Sequence, residues 1–126
     1  MVIALEHIDA AALPEQVAVS AITLTELAAG PHATDDPDER ARRQDCLARA
    51  EATFDPLLFD AAAARAYGRI YAAVLSAGRR ARGQRPVDLL IAAVALSAGL
   101  PLLTANPGDF AALENLIEVV AVPAVA

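Results

Sequence analysis

Apolar positions along the chain fall into short continuous runs that alternate with longer stretches of helical spacing. Val2 to about His7 is short and apolar and reads as a helical remnant. Residues 16–20 (QVAVS) read as a buried strand, with valines at 17 and 19. A helix is expected from about Thr23 to Ala29, stopped by Gly30-Pro31. Residues 32–39 are polar and acidic, a loop that ends in a helix start. Asp36 is its N-cap, Pro37 its first helical position, and Glu39 reaches back as in a capping box. The helix that follows alternates charge from Arg40 to Glu51, so one face is solvated. Phe54 to Phe59 is an irregular link containing Pro56. Asp60 then caps an alanine-rich helix, 61–77, with Tyr67, Ile70, Tyr71, Val74 and Leu75 on one stripe. Gly78 ends it and a basic turn follows. Pro86 opens a helix, 87–98, that is apolar on every side; Leu100 to Thr104 is a strand, 109–114 a short helix, and Ile117 to Val122 a last strand.

Short apolar strands separated by helices predict an α/β domain with a parallel sheet covered on both faces. In such sheets the functional crevice lies at the carboxyl ends of the strands. Residues 89–108 carry no charge and are long enough to raise the question of a membrane span. Gly99, Pro101 and Asn106-Pro107-Gly108 break the run, so it reads as a buried helix, a tight turn and a buried strand.

Composition narrows the picture. The chain has 126 residues, one domain's length, and 56% are hydrophobic, which excludes intrinsic disorder. Alanine accounts for 32 positions, and all ten basic residues are arginine. Cys46 is the single cysteine, so an internal disulfide and a thiolate metal cluster are excluded, and a reducing cytoplasm is the expected compartment. The first residues lack the basic region of a signal peptide. The net charge of −6 argues against a general basic surface for nucleic acid. It leaves room for carboxylates that hold metal ions beside grouped arginines.

Three candidate sites fall at strand ends or helix starts. Glu26 lies one helical turn past the strand 16–20, and it reads either as the acid of a Thr23-x-x-Glu26 capping box or as a functional carboxylate. Asp88 sits in the first turn of the apolar helix, where it either complements the helix dipole or, held near the core edge, needs a cation or hydrogen-bond donors. Thr104-Ala105-Asn106-Pro107-Gly108-Asp109 follows a buried strand; Asn106 fits an Asx-turn and Asp109 an N-cap, or both join the acids. Carboxylates from three strand ends can converge to hold magnesium or manganese, which then activates water for hydrolysis. Arg79, Arg80, Arg82 and Arg85 are either a solvated turn or a guide for a phosphate backbone. His7 and His32 fit no triad or zinc spacing, and no phosphate-binding glycine motif is present.

Ser20-Ala21-Ile22-Thr23-Leu24-Thr25-Glu26-Leu27, Pro86-Val87-Asp88-Leu89-Leu90-Ile91-Ala92-Ala93 and Leu102-Leu103-Thr104-Ala105-Asn106-Pro107-Gly108-Asp109-Phe110 together resemble the PIN-domain ribonucleases, specifically the VapC-type toxins of toxin–antitoxin modules. The resemblance covers nearly the whole chain. It implies a magnesium-dependent (or manganese-dependent) endoribonuclease, an RNA substrate, a cognate antitoxin and a homodimer. By position Glu26 and Asp88 match the family's second and third acids, Asn106 and Asp109 share the fourth region, and Thr104 matches its supporting hydroxyl. Glu26, Asp88 and Asp109 are then the metal ligands. The family opens with a strand ending in Asp-Thr-Ser or Asp-Thr-Asn, whereas Val2-Ile3-Ala4-Leu5 resembles the residues just after it. The expectation is therefore a PIN-like three-layer domain without its first strand and first aspartate. The alternatives are a catalytically silent PIN-like module that binds an antitoxin, and an unrelated α/β domain whose acids are only caps.

Overall fold

The computed structural model describes residues 2–4, 18–78 and 86–121. Three short strands form one parallel sheet in the order β1 (Val2–Ala4), β2 (Leu102–Thr104), β3 (Val119–Ala121). β1 runs beside β2 with Ile3 opposite Leu103, and β2 beside β3 with Leu103 opposite Val120. All three residues of β2 are buried, which is why its run is apolar without alternation up to Thr104. The expected helical remnant at the start is therefore a strand, and the place beside β2 is taken by Val2–Ala4. A three-residue apolar run has no period of its own, and here the long-range ladder to β2 decides its conformation.

The expected strand 16–20 is reduced, among the described residues, to a local pairing. Ser20 and Leu57 make an isolated parallel bridge, closed by the Ala21 amide to the Leu57 carbonyl and the Leu57 amide to the Val19 carbonyl, both at 2.8 Å. Gln16 and Val17 lie outside the described residues.

Helix α1 spans Ala21–Ala29, two residues earlier than expected, because Ser20 and not Thr23 is its N-cap. Gly30 does not end it with a left-handed turn; the chain tightens into a 3-10 turn, Gly30–Ala33. The carbonyls freed there are taken up from α2 (Pro37–Thr53): Arg43 donates to Gly30 at 2.9 Å and Arg40 to Pro31 at 3.0 Å. Asp36 caps α2 by accepting from the Asp38 amide at 3.0 Å, but Glu39 does not close the box. The Asp36 amide already has Thr34 Oγ1 at 3.2 Å, and Glu39 instead accepts from Arg42 and Arg43, charge-assisted bonds that a neutral amide cannot match.

Helix α3 (Ala61–Ser76) is capped by Asp60, which accepts from the Ala63 amide at 2.9 Å. Its buried face is Ala63, Ala66, Ile70 and Val74, narrower than the expected stripe; Tyr71 and Leu75 are exposed. α3 packs on α4 (Pro86–Ala98), which is buried at Leu89 and from Ile91 to Ala95. Positive φ angles at Gly78 and Gly99, 60° and 67°, let the chain leave α3 and α4 sharply, as only glycine does cheaply. Phe110 and Leu113 close the core from a 3-10 segment, Pro107–Leu113, where a helix 109–114 was expected. Among the described residues no helix is long and apolar enough to cross a membrane.

Candidate functional site

The apolar sequence after Pro86 forces α4 into the core, where it packs on α3 and β1, and Gly99–Pro101 joins it to β2. Asp88 lies in the first turn of α4, and Thr104 is the last residue of β2. Asp88, in that first turn, is only 5% exposed, and Thr104 is fully buried. A carboxylate so placed sits at the positive end of a helix dipole, with water largely removed. Thr104 Oγ1 accepts the Asn106 amide at 3.0 Å and so shapes the turn after β2.

Helix α1 brings a second polar group to α4, on which it packs. Ser20 Oγ accepts the Thr23 amide at 3.0 Å and lies 3.1 Å from Thr23 Oγ1, and both residues are fully buried. Ser20, Thr23, Asp88 and Thr104 are the buried polar residues among those described. All four stand at the start of α1, the start of α4 or the end of β2. The Ser20–Thr23 pair was missed in the sequence. Its signal is the Ser-x-x-Thr spacing, which a strand reading of residues 16–20 hides.

That shift changes the reading of Glu26. With Ser20 as N-cap, the residue three positions on is Thr23, so Glu26 is not the acid of a capping box. It is half-buried one turn further along α1. Asp109 is not an N-cap either. The 3-10 segment starts at Pro107 after Asn106, which makes no side-chain cap, and the Asp109 amide donates to the Asn106 carbonyl at 3.1 Å. Asn106 and Asp109 are both exposed. The arginines at 79, 80, 82 and 85 lie outside the described residues.

The oxygen donors present suit a hard cation, but not as a closed cage. Among the described residues no three His, Cys, Asp or Glu side chains are grouped to hold a metal ion, so Glu26, Asp88 and Asp109 are not gathered into one cluster. Magnesium characteristically keeps several waters and takes one or two carboxylates plus substrate phosphate. Asp88 is a buried carboxylate of the kind that more open mode uses, and Glu26 lies on α1, which packs on α4. A cavity of about 200 Å³ lined by Leu96, Leu100, Leu116 and Glu118 lies at the opposite end of α4 and takes no part.

The family model described as PIN domain matches residues 2–116. Ribonuclease VapC5 of Mycobacterium tuberculosis is 39% identical over 113 residues, covering 90% of this chain and 80% of that protein. The crystal structure of VapBC-5 from M. tuberculosis, a member of the VapBC family of toxin–antitoxin systems, is similar with a TM-score of 0.81 at 36% identity, covering 96% of this chain and 97% of the other. DNA-bound VapBC from Salmonella typhimurium is similar with a TM-score of 0.64 at 26% identity, covering 82% and 74%.

Proposed function

The chain belongs to the PIN-domain family, and from that membership we propose that it is a metal-dependent endoribonuclease, the toxin of a type II toxin–antitoxin pair. The observation that carries this reading is Asp88, a carboxylate buried in the first turn of α4. The likeness to a VapC ribonuclease and to VapBC complexes supports the substrate class and the antitoxin partner.

Asp88 and Glu26 would hold Mg²⁺ or Mn²⁺. The ion when bound supplies a nucleophilic water and offsets charge on the phosphate. Asp88 is largely withdrawn from bulk water, which would strengthen its hold on a cation. Asn106 and Asp109 stand exposed beyond β2, where they can meet RNA or orient water, and Thr104 fixes the turn that presents them. Arg79, Arg80, Arg82 and Arg85 would draw in the phosphate backbone of an otherwise acidic protein. The protein acts in the cytoplasm as a homodimer, and its antitoxin blocks the site.

RNA cleavage should therefore require Mg²⁺ or Mn²⁺, stop on chelation, and vanish in Glu26→Gln. Cleavage by Glu26→Gln at the parent rate would remove Glu26 from the site. The silent, antitoxin-binding module is the second reading, favoured by the lack of a three-carboxylate group among the described residues. Calorimetric titration with Mn²⁺ separates the two, since a silent module shows no specific binding.

A further inference from the structure

Helix α2 meets the rest of the chain through two unlike halves. Its residues that are not exposed, Glu39, Arg43, Leu47 and Ala50, fall on one row of the helix. Leu47 and Ala50 are an ordinary apolar anchor. The first half of the row is instead an ion pair, with Arg43 Nε 3.0 Å from Glu39. Arg43 spends its other arm on a different element: NH1 donates to the Gly30 carbonyl at 2.9 Å. Its stem lies over Gly30, where an added Cβ would stand in ordinary contact, 3.6 Å from the Arg43 Cδ. Arg40 donates to the Pro31 carbonyl at 3.0 Å and to the Thr34 carbonyl at 2.8 Å. Two arginines of α2 thus hold three carbonyls of the turn that follows α1.

Helix α1 has little else to fix that end. It is nine residues long, too short to be stable by itself. Its beginning is set by the Ser20 cap and by Thr23, its one buried residue. Glu26 stands beyond Thr23, and its main-chain carbonyl accepts from the Gly30 amide. Gly30 is therefore tied on both sides, by its amide to Glu26 and by its carbonyl to Arg43. We propose that Arg43 is a positioning residue for Glu26: anchored by Glu39, it fixes the end of α1 that carries this carboxylate. The inference rests on Glu26 as a metal-holding carboxylate in the reading above, and adds what keeps it in place. Magnesium demands near-ideal octahedral geometry, so a carboxylate on a loose helix end holds it less well. Groups that orient metal ligands from behind change affinity by roughly 10- to 100-fold.

Arg42 is the matched control. It binds Glu39 too, through Nε at 3.0 Å and NH2 at 2.8 Å, but among the described residues its hydrogen bonds go to Glu39 alone. Removing either arginine takes a positive charge from a chain of net charge −6, which by itself favours a cation. Weaker metal binding confined to changes at Arg43 therefore reports lost position and runs against the charge effect. Lysine at position 43 keeps the charge, but its single ammonium lacks the fork that reaches Glu39 and Gly30 together.

Calorimetric titration of the full chain with Mn²⁺, well below the melting temperature of each variant, tests this. Arg43→Ala should raise the Kd about tenfold and Arg43→Lys by less, while Arg42→Ala stays at or slightly below the parent's value. RNA cleavage at saturating Mn²⁺ should fall in the same order in kcat, with KM near the parent's. Should melting curves show Arg43→Ala to be unfolded, Arg43→Lys carries the test. Unchanged Mn²⁺ affinity in the Arg43 variants, or an equal loss in Arg42→Ala, overturns the positioning role and leaves the metal-dependent reading standing. A parent that binds no Mn²⁺, or a Glu26→Gln chain that binds it as the parent does, overturns that reading of Glu26 and this inference with it.

Discussion

Helices α2 and α4 open with the same sequence grammar and end up in opposite surroundings. Each begins with proline, Pro37 or Pro86, and each carries acid in its first turn: Asp38 and Glu39 in one, Asp88 in the other. Behind Pro37 the residues are charged, and the acids stay at the surface, Glu39 held by Arg42 at 2.8 Å and Arg43 at 3.0 Å. Behind Pro86 the residues are apolar, so packing on α3 and the sheet draws the first turn inward and buries Asp88. The helix dipole favours acid at both starts by at most about 1 kcal/mol. Burial is what separates a solvated cap region from a carboxylate withdrawn from water.

The sharpest way to break that comparison is to neutralise one acid at each start. Asp88→Asn should lower RNA cleavage by about 100-fold or more, the scale on which a single charge-stabilising group is missed, whereas Asp38→Asn should cleave at the parent rate. Equal effects in a cleavage assay would mean that burial does not distinguish the two helix starts.

A smaller contrast lies in the caps. Asp36→Ala removes an exposed side-chain cap whose amide water can satisfy, a loss of about 1 kcal/mol. Ser20→Ala takes the cap from the Thr23 amide where no water reaches, so the desolvation cost adds to the cap and the total rises to about 2 kcal/mol or more. Urea midpoints of the two variants decide the matter, and a Ser20→Ala loss no larger than that of Asp36→Ala would show the start of α1 to be wet.

Much of this was legible along the chain, and the gaps have physical causes. The caps Asp36 and Asp60, the buried helix after Pro86 and the turn at Gly99 follow from local chemistry and were readable. A helical reading of Val2–Ala4 fails because a three-residue strand is specified by its ladder to Leu102–Thr104, nearly the whole chain away. Tyr71 and Leu75 fit a 3.6-residue stripe, but the width of a buried face is set by the helix packed across it, and α4 covers only the row through Ile70 and Val74. Ser20 and Thr23 are both hydroxyl residues at capping distance, so either could start α1 until the bridge to Leu57 chose Ser20. At the site, Glu26, Asp88 and Thr104 were singled out from their positions at element ends. Their relation to one another depends on α1 packing on α4, which no local pattern states.

The smallest effect tests the wet side of the comparison. Hydrogen bonds from Arg42 and then Arg43 hold the Glu39 carboxyl below its ordinary value of 4.5. A carboxyl depressed on folding lends stability that is fully present above pH 4.5 and is lost as pH falls through its lowered value in the folded protein. Glu39→Gln should therefore lower the melting temperature slightly at neutral pH and leave it unchanged at strongly acid pH, where the parent has already lost the contribution. High salt should shrink the neutral-pH difference, since exposed ion pairs are screened. A difference that persists undiminished into acid would show that Glu39 acts by packing and not by charge, and the first turn of α2 would then resemble that of α4 more than its exposure suggests.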